Sequence, residues 1–261
     1  HMIKFCNLYS GSSGNSTFIE SDNTKILIDA GVSCQKISKA LASIDVELDE
    51  INAILITHEH IDHTKGLTTI SKKFNTPIYA TPKTWSQMES LNVNSSCKYL
   101  FNAGSTFSIG DLQIHSFSIP HDAIDPCGFS VICDGKKVTV ATDIGHIEES
   151  LISEMAGRDI LLIESNYDSD TLLCGSYPYF LKKRISSDVG HLSNETTGKL
   201  VKRLYESGVN KFVLGHLSKE NNFPELAYQT VLNEINSSNI KTPFQLSVAN
   251  RDNIDEVIEL V

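Results

Sequence analysis

Three histidines and two acidic residues stand within seven positions of this chain, in Thr57–His63, which reads THEHIDH. The stretch ends the apolar run Ala53–Thr57 (AILIT), whose composition predicts a buried β-strand. So many titratable groups are too dense for a strand end to hold by chance, and imidazole and carboxylate are the usual ligands of first-row metal ions. The stretch therefore predicts a metal site at the carboxyl end of a strand.

Two familiar metal motifs are excluded by counting. A helical zincin reads H-E-x-x-H, but Asp62 stands four places after His58, and the stretch follows a strand instead of lying in a helix. A TIM-barrel amidohydrolase begins with H-x-H after a strand but lacks the added Asp-His, and eight βα repeats would strain a chain of 261 residues. The pattern that remains is H-x-H-x-D-H.

The rest of the chain alternates between strand and helix patterns, which is typical of mixed sheets covered by helices. Without a linker-like segment or a repeat, we predict a single domain over residues 2–261, with His1 as a cloning remnant ahead of Met2. The predicted strands are 3–9, 16–21, 24–31, 52–58, 77–81, 159–165, 211–216 and 244–249, with a β-rich stretch over 107–142. The predicted helices are 32–43, 67–74, 194–207 and 224–235.

Composition limits the class of protein. No apolar run is long enough to span a bilayer, no cleavable signal precedes the first strand, and the six cysteines are dispersed, so we expect a cytoplasmic protein with reduced thiols and no membrane partner. The formal net charge of −10 gives no support to a non-specific nucleic-acid coat, but it does not exclude a nuclease.

The motif H-x-H-x-D-H resembles the signature of the metallo-β-lactamase superfamily. The resemblance implies an α/β (α+β) fold, a four-layer αββα sandwich of two mixed β-sheets flanked by helices. It also implies a dinuclear site in which His58 and His60 bind one ion while Asp62 and His63 bind the other.

Four further residues, each after a predicted strand, match the order that this superfamily requires. The resemblance implies that Asp29 braces the metal loop from behind, that His121 completes the first site, that Asp143 bridges the ions and that His216 completes the second site. The donor set suits two divalent ions, with Zn or Mn favoured and Fe also compatible.

The tetrapeptide Gly-His-Leu-Ser occurs twice, at Gly190–Ser193 and Gly215–Ser218. Ser193 is a good N-cap for the predicted helix behind it, so His191 precedes a helix N-terminus, where backbone amides favour an anion such as phosphate. In the nuclease branches of the superfamily, a histidine at this place contacts phosphate and donates a proton. The predicted phosphate-binding residues around it are Lys182, Lys183, Arg184 and Ser193, and the predicted catalytic residues are His191 and Asp62.

Four longer segments are similar to the WalJ (YycJ/VicX) family: SGSSGNS at 10–16, PHDAIDPCGF at 120–129, ESNYD at 164–168 and YPYFLKKRISSDVGHLSN at 177–194. This resemblance implies a 5′ to 3′ DNA exonuclease that acts on a duplex with a 5′ end and uses a metal-bridging hydroxide as nucleophile. It further implies that Ser12, Ser13 and Asn15 lie at the active-site rim and contact a terminal phosphate, although a tight turn explains the same residues. Tyr167 departs from the family pattern, which has histidine there.

Two other functions stay open at the level of sequence. The acidic charge balance favours hydrolysis of a small cyclic phosphodiester or nucleotide, since the metal ligands alone do not name the substrate. A regulatory or scaffold protein with a structural metal is the third, although a structural site is normally closed and mononuclear. The oligomeric state is left open.

Overall fold

The computed structural model describes residues 2–236 and 243–261. His1, interpreted above as a cloning remnant, lies outside them. The strands are β1 (Ile3–Tyr9), β2 (Ser16–Glu20), β3 (Lys25–Ile28), β4 (Ala53–Leu55), β5 (Ile78–Ala80), β6 (Lys98–Leu100), β7 (Thr106–Ile109), β8 (Leu112–Ser118), β9 (Cys127–Cys133), β10 (Lys136–Ala141), β11 (Ile160–Glu164), β12 (Lys211–Gly215), β13 (Gln245–Val248) and β14 (Ile258–Leu260).

The helices are α1 (Cys34–Ala42), α2 (Ile61–Thr64), α3 (Leu67–Phe74), α4 (Pro82–Gln87), α5 (Glu149–Met155), α6 (Ser169–Cys174), α7 (Tyr179–Ile185), α8 (Asn194–Glu206) and α9 (Pro224–Asn236). Over the described part of the chain, the strands form two mixed sheets. The predicted α/β class with two mixed sheets and flanking helices is therefore confirmed.

The chain divides into two compact units. The first comprises His1–Ser118, Ala123–Lys136 and Asn250–Val261, and the second comprises Ile119–Asp122 and Lys137–Ala249. The prediction that residues 2–261 form one domain stays a prediction.

In the first unit, seven strands lie in the order β14-β1-β2-β3-β4-β5-β6. Neighbouring strands are antiparallel from β14 through β1 and β2 to β3, and neighbouring strands are parallel from β3 through β4 and β5 to β6. Because neighbouring parallel strands end at the same edge of a sheet, the residues that follow β3 and β4 are brought side by side. Asp29 and Thr57–His63 are those residues.

An apolar core supports this edge. Leu27, Ile54 and Ile56 are fully buried and pack in one cluster with Ile37 of α1 and Leu67 of α3. The same unit also contains the antiparallel strands β7, β8 and β9. Burial on this scale gives the strands the rigidity that a precise ligand arrangement requires.

In the second unit, β10, β11, β12 and β13 pair in parallel in that order. The helices α8 and α9 pack so closely at Gly198 that a Cβ built on this residue would lie 2.7 Å from the Glu234 side chain. The strands β10, β11 and β12 end at one edge of the sheet. Asp143 and His216 follow β10 and β12 there, and Glu164 is the last residue of β11.

The predicted elements of the first third and the last third agree with the structure to within three residues, and α3 has the predicted bounds. The short helices α2, α4, α5, α6 and α7 and the strands β6 and β14 were not predicted. Five cysteines are buried and Cys174 is exposed. None of the helices in the described residues combines the length and the apolarity that crossing a membrane requires.

Candidate functional site

In the first unit, Asp29 organises the loop that follows β4. Its Oδ1 accepts the backbone N–H of Thr57 at 2.9 Å, and its Oδ2 accepts the Thr57 hydroxyl at 2.8 Å. The same Oδ2 lies 2.7 Å from Nδ1 of His63. With Nδ1 held by a buried carboxylate, Nε2 is the ring nitrogen that His63 offers to a metal ion.

His58 and His60 place two ring nitrogens close together. His58 Nε2 lies 3.0 Å from His60 Nδ1, and His58 Nδ1 lies 3.0 Å from the Thr57 hydroxyl. Two nitrogens on one tetrahedral zinc ion would be about 3.3 Å apart, given Zn–N distances of about 2.0 Å. The pair therefore fits a metal ion, whereas the neighbouring Glu59 accepts the backbone N–H of Ile124 at 2.9 Å and braces the loop.

Asn15 lies against the metal loop. Its backbone N–H donates to the Asp62 carbonyl at 2.8 Å, and its Nδ2 lies 3.3 Å from that carbonyl and 3.2 Å from His63 Nε2. The side chain is buried, while Ser12 and Ser13 of the same turn are exposed. The residues predicted to contact a terminal phosphate thus divide into one that positions Asp62 and His63 and two that lie at the surface.

In the second unit, four ionisable residues converge behind the parallel strands. Asp143, Glu164, His191 and His216 each offer a ligand atom, and these atoms all lie within 4.8 Å of one another. His216 Nε2 is 3.4 Å from Asp143 Oδ1. Imidazole and carboxylate donors at this spacing suit a divalent first-row ion.

Glu164 is the member of this group that sequence reasoning did not select. Its Oε1 lies 2.8 Å from Nδ1 of both His191 and His216, and its Oε2 accepts the backbone N–H groups of Ile144 at 2.9 Å and Leu192 at 3.0 Å. Burial alone raises the pKa of this carboxyl, but the two imidazoles outweigh burial and lower it from 4.5 to about 2. The available signal was a glutamate that ends a strand buried at every position.

His191 and His216 share the Glu164 carboxylate but differ in exposure. The His191 side chain is 21% exposed and that of His216 is 2% exposed. Burial lowers the pKa of His191, while the charge and hydrogen bond of Glu164 raise it, and the net direction is upward. An accessible imidazole suits contact with a substrate, whereas an enclosed one suits a fixed ligand.

Ser193 and Tyr167 hold the segment around His191. The Ser193 hydroxyl accepts the backbone N–H of Thr196 at 3.2 Å as the N-cap of α8. The Tyr167 carbonyl accepts the backbone N–H of Asn194 at 2.8 Å, and burial raises the pKa of the Tyr167 phenol. Ser193 and Tyr167 therefore have structural partners in the loop that supports His191.

His121 lies beside Asp143 in the second unit. Its Nδ1 is 3.1 Å from the Gly190 carbonyl, and its Nε2 is 3.7 Å from Asp143 Oδ1 and 3.3 Å from Asp122 Oδ1. Burial lowers the pKa of His121 in spite of the nearby carboxylates. The neutral imidazole that burial favours is the form that binds a metal ion.

The three predicted cations lie on α7 but do not point at one spot. Arg184 Nε is 2.6 Å from Asp122 Oδ2, the carboxylate next to His121 in the chain. Lys182 Nζ donates to the Leu173 carbonyl at 2.7 Å, and Lys183 is exposed. The arginine thus joins α7 to the His121 loop, whereas Lys182 is tied to the Leu173 carbonyl.

The chain is similar to known proteins over almost its whole length. The family described as "Beta-lactamase superfamily domain" matches residues 24–217. The exodeoxyribonuclease WalJ of Streptococcus pneumoniae is 42% identical over 237 residues, which are 89% of this chain and 88% of that protein. The exodeoxyribonuclease YycJ of Bacillus anthracis is 35% identical over 231 residues, 88% of each chain.

Solved structures agree at the level of the fold. The metallo-β-lactamase fold protein YhfI of Bacillus subtilis superposes with a TM-score of 0.75 at 16% identity and covers 99% of each chain. Zn²⁺-bound PqqB of Methylobacterium extorquens superposes with a TM-score of 0.73 at 17% identity, over 97% of this chain and 99% of that one. At such low identity these likenesses establish the fold and nothing about the substrate.

Proposed function

This chain belongs to the β-lactamase superfamily, and on that premise we propose that it is a metal-dependent exodeoxyribonuclease. The observation that supports the proposal is the group Asp143, Glu164, His191 and His216, whose carboxylate and imidazole atoms lie within 4.8 Å of one another in a chain related to two exodeoxyribonucleases. A metal-dependent hydrolase needs metal-binding and proton-donating groups at one place.

The metal ligands are proposed from the motif order and the donor chemistry. Two divalent ions, Zn or Mn with Fe also compatible, would be held by His58, His60, Asp62, His63, His121, Asp143 and His216. When bound, such ions lower the pKa of a shared water and polarise the oxygens of a phosphodiester. Asp29 would hold His63 in the tautomer that binds metal through Nε2, and Asn15 would keep Asp62 and His63 in place.

Proton transfer is proposed for His191. Glu164 engages Nδ1, so Nε2 is the nitrogen that would donate a proton to the leaving oxygen of the scissile phosphodiester. The partial exposure of the His191 ring allows contact with a substrate, and the contact of its Nδ1 with Glu164 Oε1 at 2.8 Å restricts the ring before the substrate binds. Asp62 is the proposed catalytic residue of the first unit.

The finer features of the substrate are proposed from the similarity to the two exodeoxyribonucleases. We propose DNA as the substrate, a duplex with a 5′ end as the preferred form, 5′ to 3′ polarity and the cytoplasm as the location. The phosphate contacts are assigned to Lys182, Lys183, Arg184 and Ser193, with Ser12 and Ser13 at the rim. The single domain over residues 2–261 is part of the same proposal.

Cleavage of end-labelled DNA tests the function. Duplex and single-stranded oligonucleotides labelled at the 5′ or the 3′ end are incubated with protein that has been loaded with Mn or Zn. We expect release of labelled mononucleotide from the 5′ end, and we expect Asp62→Ala to abolish it. His115→Ala is the matched control, because the His115 side chain contacts the Thr106 hydroxyl at 3.0 Å in the antiparallel strands of the first unit.

A small cyclic phosphodiester is the alternative substrate, and the net charge of −10 favours it. Hydrolysis of a cyclic nucleotide without cleavage of any DNA form would replace the proposed function by this one. Cleavage of DNA in the interior of the strand would be consistent with a nuclease but would contradict the proposal that the enzyme is an exonuclease.

A further inference from the structure

The helix α7 exposes two large aromatic side chains next to each other. Tyr179 is 78% exposed and Phe180 is 74% exposed, and the helix contributes no buried residue. Isolated exposed apolar residues are common, but two adjacent aromatic residues on a helix that buries nothing are not explained by folding. A surface of this kind is typical of an interaction site.

Cations share the face with these aromatic rings. Residues three or four positions apart lie on one side of a helix, so Lys183 lies near both Tyr179 and Phe180, and Arg184 lies near Phe180. The helix sequence YFLKKRI contains no acidic residue, whereas the whole chain has a net charge of −10. Arg184 Nε lies 2.6 Å from Asp122 Oδ2, so Lys183 supplies the positive charge that is combined with the aromatic surface.

The carboxyl end of α7 is held against His191. The His191 backbone N–H donates to the Ile185 carbonyl at 2.9 Å. A Cβ on Gly190 would lie 2.2 Å from that carbonyl, so only glycine allows the approach. Phe180 precedes Ile185 by five residues, which is about 7.5 Å along a helix axis. At about 3.4 Å per stacked nucleotide, this corresponds to two or three nucleotides.

We propose that α7 is a stacking platform for unpaired bases of the DNA strand that is being degraded. The bases of the second and third nucleotides from the scissile phosphate stack on Tyr179 and Phe180, while Lys183 attracts the phosphate between them. Duplex DNA hides its base faces in the stack, so the platform acts on an overhang or on an end that has opened. This inference rests on the proposed nuclease function, and it adds that the enzyme engages unpaired nucleotides at the DNA end.

Nucleic acid is favoured over a lipid surface for two reasons. The platform is connected by backbone hydrogen bonds to the proposed proton donor, His191, and α7 has only 7 residues, with basic and aromatic side chains on one face. An interfacial membrane helix instead separates a broad apolar face from its cations. Vesicle binding is therefore an outcome of the test and not part of the proposal.

The experiment measures affinity for a single strand with and without the two bases. A phosphorothioate oligonucleotide with a 3′ fluorophore is titrated with metal-loaded protein. A second oligonucleotide has abasic sites at the third and fourth nucleotides from the 5′ end, because the scissile phosphate joins the first two nucleotides. The variants are the double substitution Tyr179→Ala with Phe180→Ala, the conservative Tyr179→Trp, and Phe223→Ala as the control. Phe223 is also an exposed aromatic residue of the second unit, at 53%, but lies outside α7.

We expect the double alanine variant to bind the intact strand at least about 5-fold more weakly than the unaltered protein, because base stacking on an aromatic residue contributes at least that factor. The abasic strand should bind the unaltered protein equally weakly, and the double variant should not distinguish the two strands. Tyr179→Trp and Phe223→Ala should keep full affinity. Since both platform residues are exposed, circular dichroism should report an unchanged fold.

Three results would overturn the platform. In the first, the double variant binds the intact strand as tightly as the unaltered protein does. In the second, the double variant still distinguishes the intact strand from the abasic strand. In the third, the double variant loses only the binding of vesicles that contain anionic lipid. In each case cleavage of end-labelled DNA by the unaltered protein would leave the proposed function standing. If the unaltered protein neither binds nor cleaves DNA, both the proposed function and the proposed platform are wrong.

Discussion

At the scale of single residues, three of the predicted site residues have an uncommon backbone conformation. Asp29, Asp143 and His216 all have positive φ, at 62°, 60° and 55°. Such values are strained for residues other than glycine and persist where the surroundings enforce them, often at functional sites. Each of the three follows a strand of a parallel pair, so the strained turn aims the side chain across the sheet edge instead of along the strand.

The two GHLS histidines should respond differently to alanine. We expect His216→Ala to lower the metal content of the protein, because the enclosed ring is a proposed ligand. We expect His191→Ala to retain the metal and to lower the turnover number by about 10²- to 10⁴-fold, the usual effect of removing a general acid. Metal analysis by mass spectrometry and a DNA cleavage assay separate the two effects. Equal metal loss in both variants would contradict the division of roles.

Glu164 should influence both histidines at once. Glu164→Gln preserves the shape but removes the negative charge that faces two imidazoles, so we expect metal affinity or activity to fall by about 10- to 100-fold. The pH profile of turnover should shift to lower pH, because the pKa of His191 loses the partner that raises it. Glu148→Gln is the control, since Glu148 is exposed and pairs with His146. An unchanged pH profile for Glu164→Gln would contradict the positioning role.

At the scale of elements, short connections determine how helices are attached to the site. The loop between α7 and α8 contains Gly190 and His191. The His191 backbone N–H donates to the Ile185 carbonyl of α7, and the loop ends in the Ser193 cap. A glycine is needed at the close approach and a hydroxyl at the helix start, for different physical reasons. The loop thereby links the proposed platform, the proposed proton donor and the first turn of α8.

Gly190→Ala should displace α7 from the His191 loop. The added Cβ would lie 2.2 Å and 2.3 Å from the carbonyl oxygens of Ile185 and Arg184, so backbone must move. Overpacking of this kind costs about 1–3 kcal/mol. We expect a lower free energy of unfolding in urea and a larger fall in DNA cleavage than stability alone explains. Ser33→Ala, which loses the N-cap of α1 and about 1 kcal/mol, is the comparison, and equal activity losses at equal stability would contradict the displacement.

At the scale of the whole molecule, stability depends on pH through the buried carboxylate. The pKa of Glu164 is lowered to about 2 in the folded protein, and an unfolded chain restores a value near 4.5. A lowered acid pKa stabilises the fold fully above the unfolded value and loses that contribution as the pH falls through the folded value. Protein without metal should therefore lose stability between about pH 4.5 and pH 2 on this account.

Urea unfolding across this pH range tests the linkage. Glu164→Gln should be less stable than the unaltered protein at pH 7, and the difference should narrow as the pH falls toward 2. Other carboxyl groups titrate in both proteins and cancel in the comparison. A difference that stays constant across the range would show that the Glu164 charge does not contribute to stability.

The sequence by itself determined the chemistry and the class of the fold. THEHIDH indicates a metal site because its residue types and spacing are local, and the alternation of strand and helix patterns predicts mixed sheets, since side-chain periodicity reflects local backbone geometry. The helix bounds of α3 and α8 were predicted for the same reason. The short helix α7 was missed because it buries no face and therefore leaves no apolar periodicity.

Only the tertiary structure decided which partner each site residue has. Glu164 holds His191 and His216, which are 27 and 52 residues away in the chain, and Asn15 contacts His63 across 48 residues. The same tetrapeptide yields one enclosed and one accessible histidine, because one copy follows a buried parallel strand and the other follows a surface helix. Such contacts depend on which strand ends share a sheet edge, and strand pairing over tens of residues leaves no local pattern in the sequence.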